Sequence, residues 1–205
     1  DYGYSVEQTT DDGYIISGNT YSFGNGQSDV WLIKTDSQGN EVWNQTFGGS
    51  GSDYGYSVQQ TMDGGYIISG DIDFGFTNGE SDVWLIKTDS EGNEEWNQTF
   101  GGSRNERGKS VQQTMDGGYI ITGETERYTP GNGNYILLIK TDSQGQEEWN
   151  QIFGKSGVDN VGESVEQTTD GGYIITGSRQ YFGNGRCDVW LIKTDSEGNT
   201  EPYDD

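Results

Sequence analysis

The chain has 205 residues, among them 34 glycines and only 2 prolines, and its 34 acidic and 11 basic side chains give a net charge of −23. Nucleic-acid binding needs clustered Lys and Arg side chains to neutralise phosphates, and the sequence has no such cluster, so no nucleic-acid partner is expected. Membrane insertion is not expected either, because no stretch approaches the roughly 18 apolar residues that a membrane span needs.

The side chains that most often carry out catalysis are scarce. Histidine is absent, and Cys187 is the single cysteine. This composition argues against Ser-His-Asp and Cys-His mechanisms, nearly all zinc sites and an internal disulfide. The acidic surplus is typical of a soluble protein in a salty or extracellular medium, and a cation-binding surface is the alternative.

The first 50 residues predict four short strands, at about residues 4–9, 14–18, 29–35 and 42–47. The connections "DDG" and "DSQGN" hold the Asp, Ser, Gly and Asn residues that tight turns with positive φ require. The third strand contains the consecutive apolar residues "VWLI", which indicates that both of its faces are covered.

This pattern occurs four times, with a period of about 53 residues. The tyrosine of "GYII" recurs as Tyr14, Tyr66, Tyr119 and Tyr173, and the tryptophan of the fourth strand recurs as Trp43, Trp96 and Trp149. We therefore divide the chain into repeats at residues 1–52, 53–104, 105–158 and 159–205.

Four antiparallel strands per repeat, covered on both faces, predict an all-β fold: a single β-propeller domain over residues 1–205 with four-stranded antiparallel blades. A β-sandwich is the main competitor, but it would not explain the regular recurrence of the tryptophan. The fourth repeat ends "NTEPYDD", with Pro202 at the tryptophan position. Proline has no N–H to donate, so we expect an incomplete last blade whose open edge pairs with another chain segment or a second copy.

The run "FGGSGSDYGYSVQQTMDGGYIISG", followed by "SDVWLIKTDSEGNEEW", resembles the secreted β-propeller repeats found in tandem in bacterial and archaeal surface proteins (SBBP-like, with kelch- or quinoprotein-like blades). The resemblance covers essentially the whole chain and implies a propeller with an extracellular recognition or structural role. The hairpin "DSEGNEEW" is also similar to quinoprotein docking segments and, more loosely, to sialidase Asp boxes. In those families the tryptophan after the hairpin packs between blades, which implies a docking role for Trp43, Trp96 and Trp149.

Carboxylates recur at two positions of the repeat: Asp36, Asp89, Asp142 and Asp195 before the last hairpin, and Asp29, Asp82 and Asp188 at the start of the third strand. Propeller glycosidases use one pair of carboxylates, whereas a residue repeated in every blade is better explained as a turn or strand cap. No catalytic residue is predicted. Calcium is a minor alternative, because the oxygen-rich loops lack the D-x-D-x-D-G spacing, and no cofactor or metal is expected.

The loops between the second and third strands differ from repeat to repeat and carry aromatic side chains, which either contact a ligand or fill gaps between blades. The ligand-contact candidates are Tyr21, Phe23, Phe74, Phe76, Tyr128, Tyr181 and Phe182. Two "NQT" sequons, at Asn44 and Asn97, are glycosylation candidates if the chain passes through a glycosylating secretory route.

From these observations we expect an extracellular or cell-surface propeller module for recognition or assembly, not an enzyme, with a protein or glycan partner or self-association through the open edge. Two alternatives stay open. One is a structural subunit of a surface layer, sheath or filament, and the other is a carbohydrate-active propeller enzyme that uses Asp and Glu pairs.

Overall fold

The computed structural model describes residues 1–73, 80–126, 133–181 and 187–200, which form fifteen strands and no helix. The strands fall into antiparallel sheets of consecutive strands. The first sheet consists of β1 (Tyr2–Gln8), β2 (Tyr14–Thr20), β3 (Asp29–Thr35) and β4 (Glu41–Phe47). The second consists of β5 (Tyr54–Gln60), β6 (Tyr66–Asp73), β7 (Ser81–Thr88) and β8 (Glu94–Phe100).

The third sheet consists of β9 (Glu106–Gln113), β10 (Tyr119–Glu126), β11 (Asn134–Thr141) and β12 (Glu147–Phe153). The fourth has three strands among the described residues: β13 (Val158–Gln167), β14 (Tyr173–Tyr181) and β15 (Cys187–Thr194). The prediction of repeated antiparallel sheets is confirmed, and Pro202 lies outside the described residues. The chain divides into two compact units, Asp1–Val111 and Gln112–Asp205.

The hairpin between β3 and β4 shows why the turn residues recur. Asp36 Oδ1 accepts hydrogen bonds from the backbone N–H groups of Gln38 and Asn40, and its Oδ2 accepts one from the Asn40 side chain. Gly39 has φ +83°, a conformation that costs an L-residue about 1–2 kcal/mol. The "D-S-x-G-N" segment is therefore a self-capped turn, as tight-turn composition predicts.

A lysine ties each β3-type strand to the first hairpin of its own sheet, and in the first three sheets that lysine is buried. In the first sheet, Lys34 Nζ lies 2.9 Å from the Asp11 carboxylate and 2.8 Å from the Thr35 carbonyl oxygen. Asp11 also accepts hydrogen bonds from the Thr9 hydroxyl and the Gly13 N–H. A Cβ on Gly13 would lie 2.2 Å from the Thr35 carbonyl oxygen, so only glycine allows this close approach.

The same ion pair recurs in the other sheets, between Lys87 and Asp63, Lys140 and Asp116, and Lys193 and Asp170. In the second and third sheets Glu95 and Glu148 add a second carboxylate to the lysine. A buried ammonium group is costly unless it is paired, which explains why the acid and the lysine repeat together.

Two apolar faces pack together in the first unit. We define the rear face of a sheet as the side that carries Ile15, Val30 and Leu32 in the first sheet. The front face is the side that carries Val58, Tyr66, Ile68, Trp84 and Ile86 in the second sheet. These residues form one buried cluster. In the second unit, Ile120, Ile136 and Leu138 of the third sheet pack in the same way against Val165, Tyr173, Ile175 and Ile192 of the fourth.

The fourth-strand tryptophans lie beside these clusters. The Trp43 ring meets Tyr66 edge-on with the ring centroids 5.9 Å apart, and Trp149 meets Tyr173 at 5.7 Å. The next hairpin covers each indole, since a Cβ on Gly92 or Gly198 would lie 2.7 Å from Cζ3 of Trp43 or Trp149. The docking role of Trp96 stays a prediction.

Two glycines with the same backbone conformation test this contact. Gly92 (φ +82°) lies against Trp43, whereas Gly39 (φ +83°) has no atom within 4 Å of an added Cβ among the described residues. We expect Gly39→Ala to lower the free energy of unfolding by about 1 kcal/mol, through backbone strain alone. Gly92→Ala should add about 1–3 kcal/mol of overpacking to that loss. Equal losses in urea unfolding would contradict the packing of the hairpin on the indole.

The lysine ion pairs offer a second matched comparison. Asp11→Asn leaves Lys34, which is 5% exposed, without a carboxylate, whereas Asp170→Asn does the same to Lys193, whose side chain is 43% exposed. We expect the first substitution to lower the melting temperature at least twice as much at pH 7, because the unpaired cation is buried.

The effect of Asp11→Asn on the melting temperature should depend on pH. The Thr9 hydroxyl first, and then Lys34 and the Gly13 N–H, hold the pKa of Asp11 well below its ordinary value in the folded chain. The stability that this carboxylate contributes is therefore present above about pH 4 and is lost as the pH falls further. The difference in melting temperature between Asp11→Asn and the unmodified chain should shrink below pH 4. A difference that stays constant down to pH 2.5 would contradict the ion pair.

Candidate functional site

The first strands of the first two sheets carry a group of tyrosines. Tyr2 stacks on Tyr4 with ring centroids 6.4 Å apart, and Tyr54 stacks on Tyr56 at 6.0 Å. Tyr4 and Tyr56 join the two pairs at 5.3 Å, and Tyr21 meets Tyr2 edge-on at 6.3 Å. We call these five residues the tyrosine cluster.

Irregular strand pairing sets the direction of two of these tyrosine side chains. The pairing of β1 with β2 shifts register between Gly3 and Ser5, and that of β5 with β6 shifts between Gly55 and Ser57. Tyr4 and Tyr56 are thus the extra residues of β-bulges. A bulge re-aims the side chain that it inserts, and bulges are common next to functional sites.

Two cations stand beside the cluster, where β9 replaces the tyrosines of the earlier repeats with Arg107 and Lys109. The Lys109 ammonium lies 4.3 Å from the centre of the Tyr56 ring, a cation–π contact. The chain has only 11 basic residues, and four of them are the repeated lysines of the ion pairs. This pair of cations on one strand is therefore a local feature that the repeat does not require.

Asp71 lies beneath the cluster. It follows Gly70 on β6, pairs across the strands with Tyr54 and is only 3% exposed. Burial raises the pKa of this carboxyl to about 6, against the opposing effects of a Tyr56 hydrogen bond and the Arg107 and Lys109 charges. Among the described residues, its Oδ1 has no hydrogen-bond partner. A buried carboxylate oxygen without a partner is costly to folding and typical of a functional site.

Sequence reasoning missed this residue, although the repeat marks it. The position after the glycine of "ISG" or "ITG" is occupied by Asn19, Asp71, Glu124 and Ser178 in the four repeats. The position of Tyr56 likewise holds Tyr4, Lys109 and Glu163 in the others. Variation within the strands of an otherwise copied framework was the available signal, whereas the ligand-contact candidates all lie in the loops between the second and third strands.

The other buried carboxylates of the first unit hold loops. Asp53 accepts hydrogen bonds from the N–H groups of Gly49, at 2.8 Å, and Asp73, at 3.0 Å. Asp29 Oδ2 accepts from the N–H groups of Asn25 and Gly26. Burial raises the pKa of Asp53, while both of its oxygens remain engaged. These two acids cap the backbone.

The repeated hairpin acids are turn residues. The side-chain hydrogen bond from Asn40 lowers the pKa of Asp36, and one from Asn93 lowers that of Asp89. Such groups are stable as carboxylates and are poor proton donors at neutral pH.

The aromatic loop candidates have different surroundings. Tyr21 belongs to the tyrosine cluster, and Phe23 packs on Trp31 with ring centroids 5.8 Å apart. In the second unit, Tyr181 lies beside Arg179, whose guanidinium also stacks on Trp190 at 4.4 Å. The remaining candidates, Phe74, Phe76, Tyr128 and Phe182, lie outside the described residues. A ligand-contact role for this set stays a prediction.

The two sequon asparagines are exposed on the fourth strands of their sheets. Asn44 accepts a hydrogen bond from the Trp31 indole and donates one to Glu41. Asn97 makes the same contacts with Trp84 and Glu94. Glycosylation of these two asparagines stays a prediction.

Within the described parts of the chain, no group of three or more His, Cys, Asp or Glu side chains is placed to hold a metal ion. Those parts also contain no helix with the length and apolar character that crossing a membrane requires.

Comparison with known proteins places the fold. No protein-family model matches the chain. A thermostable family-43 glycoside hydrolase superposes with a TM-score of 0.57 at 14% identity, over 97% of this chain and 75% of that one. The endo-arabinase of Bacteroides thetaiotaomicron gives a TM-score of 0.58 at 11% identity, over 95% and 75%. The chain therefore has a β-propeller fold, and its specific resemblance to SBBP-like repeats stays a prediction.

One curated relative also matches in sequence. The regulatory protein FlaEY of Caulobacter vibrioides is 25% identical over 178 residues, which cover 76% of this chain. The chain spans only 18% of the length of that protein.

The expectation that the chain is not an enzyme is contradicted by the structural matches, since both of these propellers are glycoside hydrolases. That expectation rested on the carboxylates repeated in every blade, which do hold turns. It overlooked Asp71, a carboxylate that the repeat does not require.

Substitution of Asp71 should show how the buried carboxyl affects stability at different pH values. The unfolded chain binds a proton at Asp71 with a pKa near 3.9, and the folded chain at about 6, so stability falls as the pH rises between these values. We expect Asp71→Asn to raise the melting temperature above pH 6 and to leave it nearly unchanged below pH 4.

Asp89→Asn is the control, because the pKa of Asp89 is lowered and its substitution should cost stability above pH 4. Equal behaviour of the two variants across this pH range would argue against the buried carboxyl.

Proposed function

We propose that this chain is a carbohydrate-active β-propeller and that it cleaves a glycosidic bond at the tyrosine cluster, with Asp71 as the proton donor. The observation that carries the proposal is a buried carboxyl with a pKa of about 6 and an unpartnered oxygen, beneath stacked aromatic rings, at a position that varies between repeats. The glycoside hydrolases of the same fold support the reaction class.

The tyrosines suit a sugar ligand. Sugar rings present C–H groups on their faces, and aromatic rings pack against such faces while a phenol hydroxyl hydrogen-bonds to sugar hydroxyls. Tyr2, Tyr4 and Tyr21 add exposed ring surface next to Tyr56. The cluster therefore offers a stacking platform at the carboxyl.

Asp71 suits the acid role. Glycosidic cleavage requires a carboxylic acid that is still protonated near the working pH, which requires a raised pKa. In the proposed step, the Asp71 proton passes to the leaving oxygen as the bond to the anomeric carbon breaks. Water then adds its oxygen to that carbon and returns a proton to Asp71. The overall change is the addition of one water across one glycosidic bond.

A panel of polysaccharides that includes arabinan tests the proposal by the release of reducing ends. We expect activity that declines as the pH rises through about 6, because Asp71 loses its proton there. Asp71→Asn should reduce turnover at least 100-fold, the usual contribution of a general acid. Tyr56→Phe should keep the platform but lose the hydrogen bond to Asp71 and shift the pH profile.

Asp89→Asn, the same chemical change in an exposed hairpin, should retain full turnover. Release of reducing ends by Asp71→Asn at the unmodified rate would refute the assignment of the acid. Glycan binding without turnover on every substrate would refute hydrolysis.

We also propose that the protein acts outside the cell or at its surface. The acidic composition and the resemblance to secreted propeller repeats support this location. Cell fractionation of the source organism with an antibody to this chain tests it, and recovery from the cytoplasm would contradict it.

A further inference from the structure

The rear face of the fourth sheet is uncovered. Val189 is 88% exposed, whereas Val30, at the same place in the first sheet, is 1% exposed. Leu191 is likewise exposed, whereas its counterpart Leu32 is buried in the core. Rear-face residues that are covered in the first and third sheets are thus open to solvent in the fourth.

The front face of the first sheet is uncovered as well. Val6 is 64% exposed, whereas its counterpart Val58 in the second sheet is 5% exposed. A cavity of about 110 Å³ opens on this face. Its lining includes Tyr2, Gly3, Ile16, Trp31 and Ile33.

Inside each unit, the corresponding cavity is filled by a branched side chain from the preceding rear face. A Cβ on Gly55 would lie 2.7 Å from Cγ1 of Val30, and one on Gly162 would lie 3.0 Å from Cγ2 of Ile136. At the equivalent Gly3, an added Cβ would meet only Ile16 Cγ2, at 3.7 Å. The repeat therefore defines both a projecting side chain and its cavity, and among the described residues Val189 and the cavity at Gly3 lack the counterparts found inside the units.

We propose that two copies of this chain dock head to tail, with the rear face of the fourth sheet of one copy on the front face of the first sheet of the next. Val189 of one copy enters the cavity at Gly3 of the other. The occupant is a second copy because the residues at these faces repeat those of the two internal packings, Val189 in place of Val30 and Gly3 in place of Gly55. Two different faces meet, so the association is heterologous and yields rings or filaments.

The net charge opposes this association and predicts how its strength depends on salt. Each copy carries a net charge of −23, so docked copies repel each other over distances that salt screens. The apolar contact itself does not weaken with added salt. Association should therefore strengthen as NaCl is raised from 50 to 500 mM, the opposite of an interface held by ion pairs.

Two single substitutions each block one side of the contact. Val189→Asp places a charge on the rear face, and Gly3→Val fills the cavity. Both positions tolerate the change in the single copy, because Val189 faces solvent and Gly3 has room for a Cβ. Met115→Asp, at an exposed apolar residue outside both faces, is the control.

Sedimentation equilibrium of the whole chain between 1 and 500 μM provides the test. We expect the unmodified chain and Met115→Asp to exceed the 22.6 kDa monomer mass, and each blocking variant to stay monomeric, at least tenfold weaker in association. A mixture of Val189→Asp and Gly3→Val should form a heterodimer, because one rear face and one cavity remain intact.

Three results would each overturn the proposal. The first is an unmodified chain that stays monomeric at every concentration. The second is a Val189→Asp variant that associates as before, and the third is a mixture without heterodimer. Matching thermal unfolding of the variants by circular dichroism would show that loss of association is not loss of folding.

Discussion

The first three sheets each depend on a lysine ammonium group that is removed from water. Lys34 cannot remain charged and buried unless Asp11 and the Thr35 carbonyl surround it, and the strand carrying Lys34 is thereby joined to the first hairpin of its own sheet. The close approach also requires Gly13. One polar contact therefore specifies a threonine, an acid, a glycine and a lysine, and these are the residues that the sequence copies most faithfully.

This constraint separates structural from functional residues. An acid that appears in every repeat is explained by a turn or by a lysine, so it carries little information about chemistry. Asp71 is explained by neither, since its counterparts in the other repeats are Asn19, Glu124 and Ser178. Its Oδ1, like that of Asn19, has no hydrogen-bond partner among the described residues. Burial of that carboxyl lowers the stability of the fold, and contacts elsewhere in the sheets offset this loss.

The sequence was sufficient for the strands and insufficient for the site. The apolar run of β3 and the turn composition around it located Asp29–Thr35 as observed, because covered strands and tight turns leave strong local patterns. The Tyr56 contact with Asp71 depends on a one-residue bulge at Tyr56. Such a bulge breaks the two-residue alternation on which strand patterns rest, so the side chain's direction could not be read from spacing.

Comparison between repeats also explains the exposed faces of the first and fourth sheets. In repeat architectures, a sheet face that meets only water usually gains polar substitutions, because an apolar face there promotes association. The rear face of the fourth sheet keeps Val189 and Leu191, and the front face of the first keeps Val6 and the cavity at Gly3. Retention of both halves of a packing that is buried elsewhere in the same chain argues that they are covered by each other, across copies.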